Sequence, residues 1–192
     1  IAEHQSLFID MVNDLINKVQ LFGSHFAALD IRQDSRVHTA VMTDIAVTHK
    51  SLFPKVYAEM TDAEKISHLS SLTGDIDPAT LSDEMARKTL ESIRAMKTIQ
   101  EWNGEAGCNR YIISNNGSVV NMLEAFAMLR LSDWEAPSVD VIPLFETVDD
   151  LQGADKVMET LYTNPEYAKH LKSRGNRQSI MLGFSDGTKD GG

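Results

Sequence analysis

RYIISNNGSVVNMLEAFAMLRLSDWEAPSVDVIPLF, residues 110–145, holds the pattern on which the fold turns. The apolar run at 110–115 reads as a strand. In the segment that follows, Val119, Leu123, Phe126 and Leu129 recur at helical spacing, and 139–145 is a second apolar run. A strand exposed on one face alternates apolar with polar residues, whereas these runs are nearly continuous. That marks strands covered on both faces, the habit of a parallel sheet whose connections are helices.

The same alternation extends toward the C-terminus. A helix is expected from about 148 to 162, and another in NPEYAKHLKSRG, with Pro165 in its first turn and Gly175 as its stop. QSIMLGF, 178–184, reads as the last strand, leading into the polar loop SDGTKDGG.

The N-terminal side is more helical. HFAALDIRQDS predicts a strand at about 25–31, then a helix capped by Ser35 and running to about 49, with Val41, Ile45 and Thr48 on one face. Segments 62–71 and 82–102 read as helices, the second without a capping box because Met85 stands three residues after Ser82. Gly74 and Pro78 mark a loop between them. Residues 3–22 form a leading helix with an apolar stripe at Leu7, Met11, Leu15, Val19 and Phe22, stopped by Gly23.

The fold class is therefore α/β and helix-rich, with about four parallel strands. Residues 1–192 form one unit, in which 1–110 carries the leading helix, first strand and a helical insertion, and 111–192 carries regular β/α repeats. Such strands suit a doubly wound sheet or half of a (β/α)8 barrel. No G-x-G-x-x-G follows the first strand, which argues against a dinucleotide fold.

Composition narrows the function. At 192 residues the chain can bury a sizeable core, and 42% apolar with 24% charged residues is ordinary for a globular protein. A net charge of −10 argues against broad binding of nucleic acid or anionic membranes. The single cysteine, Cys108, excludes an internal disulfide and suits a reducing, cytoplasmic setting. No apolar run is long enough to span a bilayer, and the first residues lack the charged and apolar regions of a signal peptide. The chain has no initiator Met and ends abruptly, which suggests a stretch of a longer polypeptide.

Polar residues collect where the strands end. The first strand delivers Asp30, Arg32, Gln33 and Asp34. The second delivers Ser114, Asn115 and Asn116, and the third Glu146, Asp149 and Asp150. The fourth delivers Ser185, Asp186, Lys189 and Asp190. In a parallel α/β fold all of these lie at one mouth. Glu146 and Asp186 follow their strands at nearly the same distance, and two carboxylates there can hold Mg²⁺ or Mn²⁺ through hard oxygen ligands. Arg32 and Lys189 point to an anionic substrate.

Plainer readings stand beside these. Acids after a strand cap the next helix, as Asp149 or Asp150 would, and Arg32 can pair with Asp34. The histidines have no ligand spacing, although His38 can support the loop after the first strand. Met11, Met42, Met96, Met122 and Met128 read as core, Trp102 and Trp134 as packing residues, and Asn116-Gly117 as a tight turn.

Three segments carry a resemblance to phosphoenolpyruvate carboxylases. LDIRQDSRVH (29–38) resembles that family's L-D-I-R-Q-E-S-x-x-H, VIPLFETVDDLQGA (141–154) its V-P-L-F-E-T-x-x-D-L, and IMLGFSDGTKDGG (180–192) its V-M-x-G-Y-S-D-S-x-K-D-A-G. YIISNNGS is a weaker match to Y-x-I-S-M. Asp34, Phe184 and Gly187 stand where Glu, Tyr and Ser are commoner.

The resemblance implies a (β/α)8 barrel within a larger, mostly helical and usually tetrameric enzyme. That enzyme joins phosphoenolpyruvate and bicarbonate to give oxaloacetate and phosphate, with Mg²⁺ or Mn²⁺ and no biotin. By the same similarity Glu146 and Asp186 fall on metal ligands, Arg32 on a phosphate-binding arginine, and Lys189 on an active-site lysine. The family's catalytic histidine lies upstream of this stretch and its Gly/Arg-rich loop downstream, so the stretch alone is expected to turn over little. The other readings are a different metal-dependent barrel lyase or aldolase working through an enolate, or a non-catalytic anion-binding or assembly domain.

Overall fold

The computed structural model describes residues 7–23 and 25–191, the side chain of Asp186 excepted. Its sheet is built from β1 (Asp30–Asp34), β2 (Arg110–Ser114), β3 (Asp140–Phe145) and the short β4 (Met181–Leu182). All neighbours pair in parallel in the spatial order β1-β2-β3-β4, with Asp30 opposite Arg110, Arg110 opposite Asp140, and Leu144 opposite Met181. Spatial order follows chain order, so every crossover steps to the next neighbour. Among the described residues there is no reversal of strand order of the kind that makes a doubly wound sheet. The sheet is open.

Helices fill the connections. Between β1 and β2 come α2 (Ser35–Thr48), α3 (Asp62–Ser71) and α4 (Glu84–Asn103), with 3-10 turns among them. The helix α5 (Val119–Arg130) links β2 to β3, and α6 (Val148–Thr163) and α7 (Pro165–Ser173) link β3 to β4. The leading helix α1 (Ile9–Phe22) and the closing helix α8 (Phe184–Gly191) lie outside these crossovers.

The main core lies on one face of the sheet. Tyr111, Ile113, Val141 and Phe145 pack there against Val41, Ile45, Leu90, Leu123 and Phe126. Because successive strand residues point to opposite faces, Ile112, Ile142 and Leu144 form a second, smaller cluster on the other side. Side chains stop the helix N-termini from fraying. Asp34 accepts from Arg36 N at 2.8 Å to cap α2, and Asp83 accepts from Ala86 N at 2.8 Å to cap α4. Thr147 and Asp150 form a reciprocal capping box on α6. The caps of α2 and α4 are thus Asp34 and Asp83, one residue to either side of the serines expected from sequence. Ser35 instead donates to Asn115 O across the sheet at 2.5 Å.

Other expectations are corrected. The first strand begins at Asp30, because Phe26 adopts a left-handed φ of 62° and the chain is still turning there. The last strand is only Met181–Leu182, and what reads as a polar loop after it is the helix α8. Helix α1 begins only at Ile9, so Leu7 lies outside it, and residues 3–6 of the expected helix lie outside the described residues; none of the residues of α1 is buried, so Met11 is exposed rather than core. Trp102 is 79% exposed and does not pack, whereas Trp134 packs against the core. Met42, Met96, Met122 and Met128 are fully buried, and Cys108 is a buried free thiol. No helix among the described residues is long and apolar enough to cross a membrane.

Candidate active site

The C-terminal ends of β1, β2 and β3 open onto a cleft of about 290 Å³ lined by Arg32, Asp34, Arg36, Ser114, Asn115, Glu146, Thr147 and Asp150. Its centre is Glu146, the first residue after β3. Parallel pairing sets β1 and β3 on either side of β2, and their side chains reach over it: Arg32 Nη2 lies 3.6 Å from Glu146 Oε1. Asn115 turns there with a left-handed φ of 55°, a conformation Asn tolerates better than most residues, and its N–H donates to the same Oε1 at 3.1 Å. Arg32 is half exposed and Glu146 about one-fifth exposed. The pair is therefore open enough to exchange partners with a ligand.

Around this centre each acid has a distinct task. Asp34 holds Arg36 through a bidentate pair, Nε to Oδ1 at 2.9 Å and Nη2 to Oδ2 at 2.7 Å. The Arg36 guanidinium keeps the Asp34 carboxyl below its usual range. Arg32 is thus not the partner of Asp34, and it is left to Glu146. Asp150 accepts from the backbone N–H of Glu146 and Thr147 at 3.3 and 3.1 Å, which fixes the turn that presents Glu146. Asp190 in α8 accepts from Val148 N at 2.8 Å, so its role is to dock α8 on the start of α6. Asp30 sits at the N-terminal end of β1, where it pairs with Arg110 at 3.3 Å, away from the cleft.

The fourth strand brings its residues close by a different route. Gly183 N donates to Phe145 O at 2.9 Å, and a Cβ at Gly183 would stand 3.1 Å from Glu146 Cα. A Cβ at Gly187 would stand 3.7 Å from Glu146 O. The first turn of α8 therefore packs directly on Glu146. Asp186 belongs to that turn, but its side chain lies outside the described residues. Lys189 follows three residues later and is exposed.

Hard oxygen donors in an open cleft suit a partly hydrated Mg²⁺ or Mn²⁺, which needs only one or two carboxylates beside water and substrate oxygens. Glu146 supplies one such carboxylate. No cluster of three or more His, Cys, Asp or Glu side chains suited to a metal occurs among the described residues.

Sequence reasoning missed the Asp34–Arg36 fork, the amide of Asn115 and the close approach of Gly183. The i, i+2 spacing of Asp34 and Arg36 and the Asn-Asn-Gly run were the available signals. His38, read as a support for the loop after the first strand, and Asn116, read as part of a tight turn, both prove to be buried. His38 is buried, its Nε2 is 3.0 Å from Tyr111 Oη, and burial pushes the imidazole down to about 4. Asn116 is fully buried, and its side-chain amide has no partner among the described residues.

Parallel strands, helical crossovers, and an acid and an arginine meeting at the strand ends define an α/β protein whose candidate site lies at the carboxyl edge of its sheet. Residues 2–192 match the family model described as phosphoenolpyruvate carboxylase, and the chain belongs to that family. It is 38% identical to a phosphoenolpyruvate carboxylase of Nitrosomonas eutropha, over 100% of this chain and 22% of the relative. The corresponding protein of Nitrosomonas europaea is 36% identical over 94% of this chain and 20% of its own length. That of a Synechococcus species is 35% identical over 93% and 18%. The chain spans about a fifth of the length of these relatives.

Proposed function

We propose that this chain is part of the catalytic (β/α)8 barrel of a phosphoenolpyruvate carboxylase, which carboxylates phosphoenolpyruvate with bicarbonate to oxaloacetate and phosphate. The observation that carries this reading is the meeting of Arg32 and Glu146 at the carboxyl edge of a sequentially ordered parallel sheet, in a chain of this family.

In this reading Glu146 and Asp186 hold a Mg²⁺ or Mn²⁺ ion, which when bound stabilises negative charge developing on the enolate oxygen. Arg32 turns its guanidinium from Glu146 to the substrate phosphate, whose oxygens suit its planar fork. Asn115 N–H keeps the Glu146 carboxylate oriented while that exchange occurs. Lys189 adds a second cation beside the anionic reactants. The whole polypeptide, a homotetramer by analogy with the family, performs the reaction in the cytoplasm. The 192-residue chain alone turns over little, since it spans about a fifth of its relatives.

The test is bicarbonate-dependent oxaloacetate formation by the full-length polypeptide, compared with its Glu146→Gln and Asp186→Asn variants. Each variant is expected to lose at least about a hundredfold in rate, the scale of removing a group that stabilises transition-state charge. Undiminished activity in both would sink the assignment.

A further inference from the structure

A second cleft, of about 310 Å³, lies on the helical side of the molecule, between the C-terminal half of α2 and the turn that follows it. One wall is Val47; the turn supplies Phe53, Val56 and Tyr57. Phe53 and Tyr57 are buried and meet edge to face at 5.7 Å, while Val47 and Val56 leave more than half of their surface in water. The cleft is at the small end of the range for ligand pockets.

Two ammonium groups, Lys50 and Lys55, also line it, and no acidic residue does. That is unusual in a chain with a net charge of −10. Lys55 is paired with Glu64 at 2.8 Å. Lys50 has no ion-pair partner among the described residues.

The floor of the cleft is held rigid from below. Tyr57 Oη donates to Glu124 Oε1 at 2.7 Å, and Thr39 Oγ1 donates to Glu124 Oε2 at 2.8 Å. Glu124 is fully buried on α5, so the tyrosine ring is anchored to the core rather than free to swing into the cleft. An apolar body can pack on a preformed surface of this kind without the cost of ordering it.

We propose that this cleft is a binding site for a small amphipathic carboxylate, with the apolar body between Val47, Phe53 and Val56 and the carboxylate on Lys50. It is separate from the strand-end cleft and stands whether or not that site is catalytic.

Octanoate is the probe, followed by the amide resonances of the chain, with octanol as its neutral counterpart. Saturable shifts are expected over residues 43–57. Affinity should fall by about tenfold, or 1.4 kcal/mol, for octanol, for Lys50→Glu and for Val56→Asp. The two substitutions are at exposed positions, so unchanged spectra elsewhere would report an intact fold. Shifts absent from residues 43–57 would overturn the proposal. So would octanol binding as tightly as octanoate, or Lys50→Glu binding as tightly as the parent.

Discussion

Helices α1 and α5 are of similar length, 14 and 12 residues, and both carry a clear apolar pattern. Their fates differ. In α5 eleven of twelve residues are buried, including Glu124 and Arg130, because the helix is wedged among α2, α3, α4 and the sheet. In α1 none is buried, and Met11, Leu15 and Val19 face water. Periodicity fixes the helix and its apolar side, while burial depends on which other elements reach that side. A helix stripe is an offer, and only packing accepts it.

Truncating one apolar side chain in each helix puts the contrast to the test. Phe126 touches Tyr167 and His170 with ring centroids 5.4 and 5.0 Å away and is almost wholly buried. Phe126→Ala is expected to lower unfolding free energy by about 3–5 kcal/mol. Leu15→Ala should change it by less than about 0.5 kcal/mol, as for other exposed positions. Chemical denaturation of the two variants measures both, and comparable losses would show that α1 is covered in solution.

The same contrast explains what could be read in the sequence. The β2–α5–β3 unit was legible nearly to the residue, because its strands are covered on both faces and its helix on almost every side. Those conditions leave a continuous apolar signal. At β1 the run of 25–29 was misread as strand, since Phe26 is exposed in a left-handed conformation and Leu29, also exposed, lies just before the first paired residue. At β4 only two residues pair, and apolar neighbours such as Ile180 and Phe184 remain exposed, so composition overstated the strand. For the candidate site, the identities of Arg32 and Glu146 were visible at strand ends. Their pairing was not, because it depends on register across β2, and sequence carries no register. Neither were the contributions of Asn115 N–H and Gly183, which act through backbone and leave no side-chain signature.

Proton uptake probes the covered region itself, where His38 and His170 are both buried. Burial pushes His38 down to about 4, only partly opposed by Asp34, and pushes His170 down to about 4 beside Phe126 and Tyr167. An unfolded histidine titrates near 6.5. Between these values the unfolded chain binds protons that the folded chain refuses, so stability is complete above about pH 6.5 and is lost as pH falls toward 4. Each histidine contributes a loss of about 2 kcal/mol between pH 7 and pH 5. Glu124 has the opposite sign: burial raises its folded pKa, and its contribution is lost as pH rises through that value. Denaturation at a series of pH values should give a shallower acid loss in His38→Gln, and an unchanged slope would place His38 in water.

The smallest effects test the edge where α8 meets Glu146. Gly153 lies in α6 with nothing within 4 Å of an added Cβ, so Gly153→Ala is expected to stabilise by about 0.5–1 kcal/mol through helix propensity alone. At Gly183 the same methyl would stand 3.1 Å from Glu146 Cα and 3.3 Å from its Cβ and Cγ, and of these the Cα and Cβ are held by the backbone and cannot swing away. Gly183→Ala should therefore destabilise by about 1 kcal/mol. It should also shift the amide resonance of Asn115, whose N–H is bonded to the Glu146 carboxylate. Thermal unfolding with an amide spectrum of each variant reads both quantities. If Gly183→Ala behaves like Gly153→Ala, the β4–α8 edge is as uncovered as α1. If the two diverge, even a two-residue strand is packed tightly enough to position the acid at the centre of the cleft.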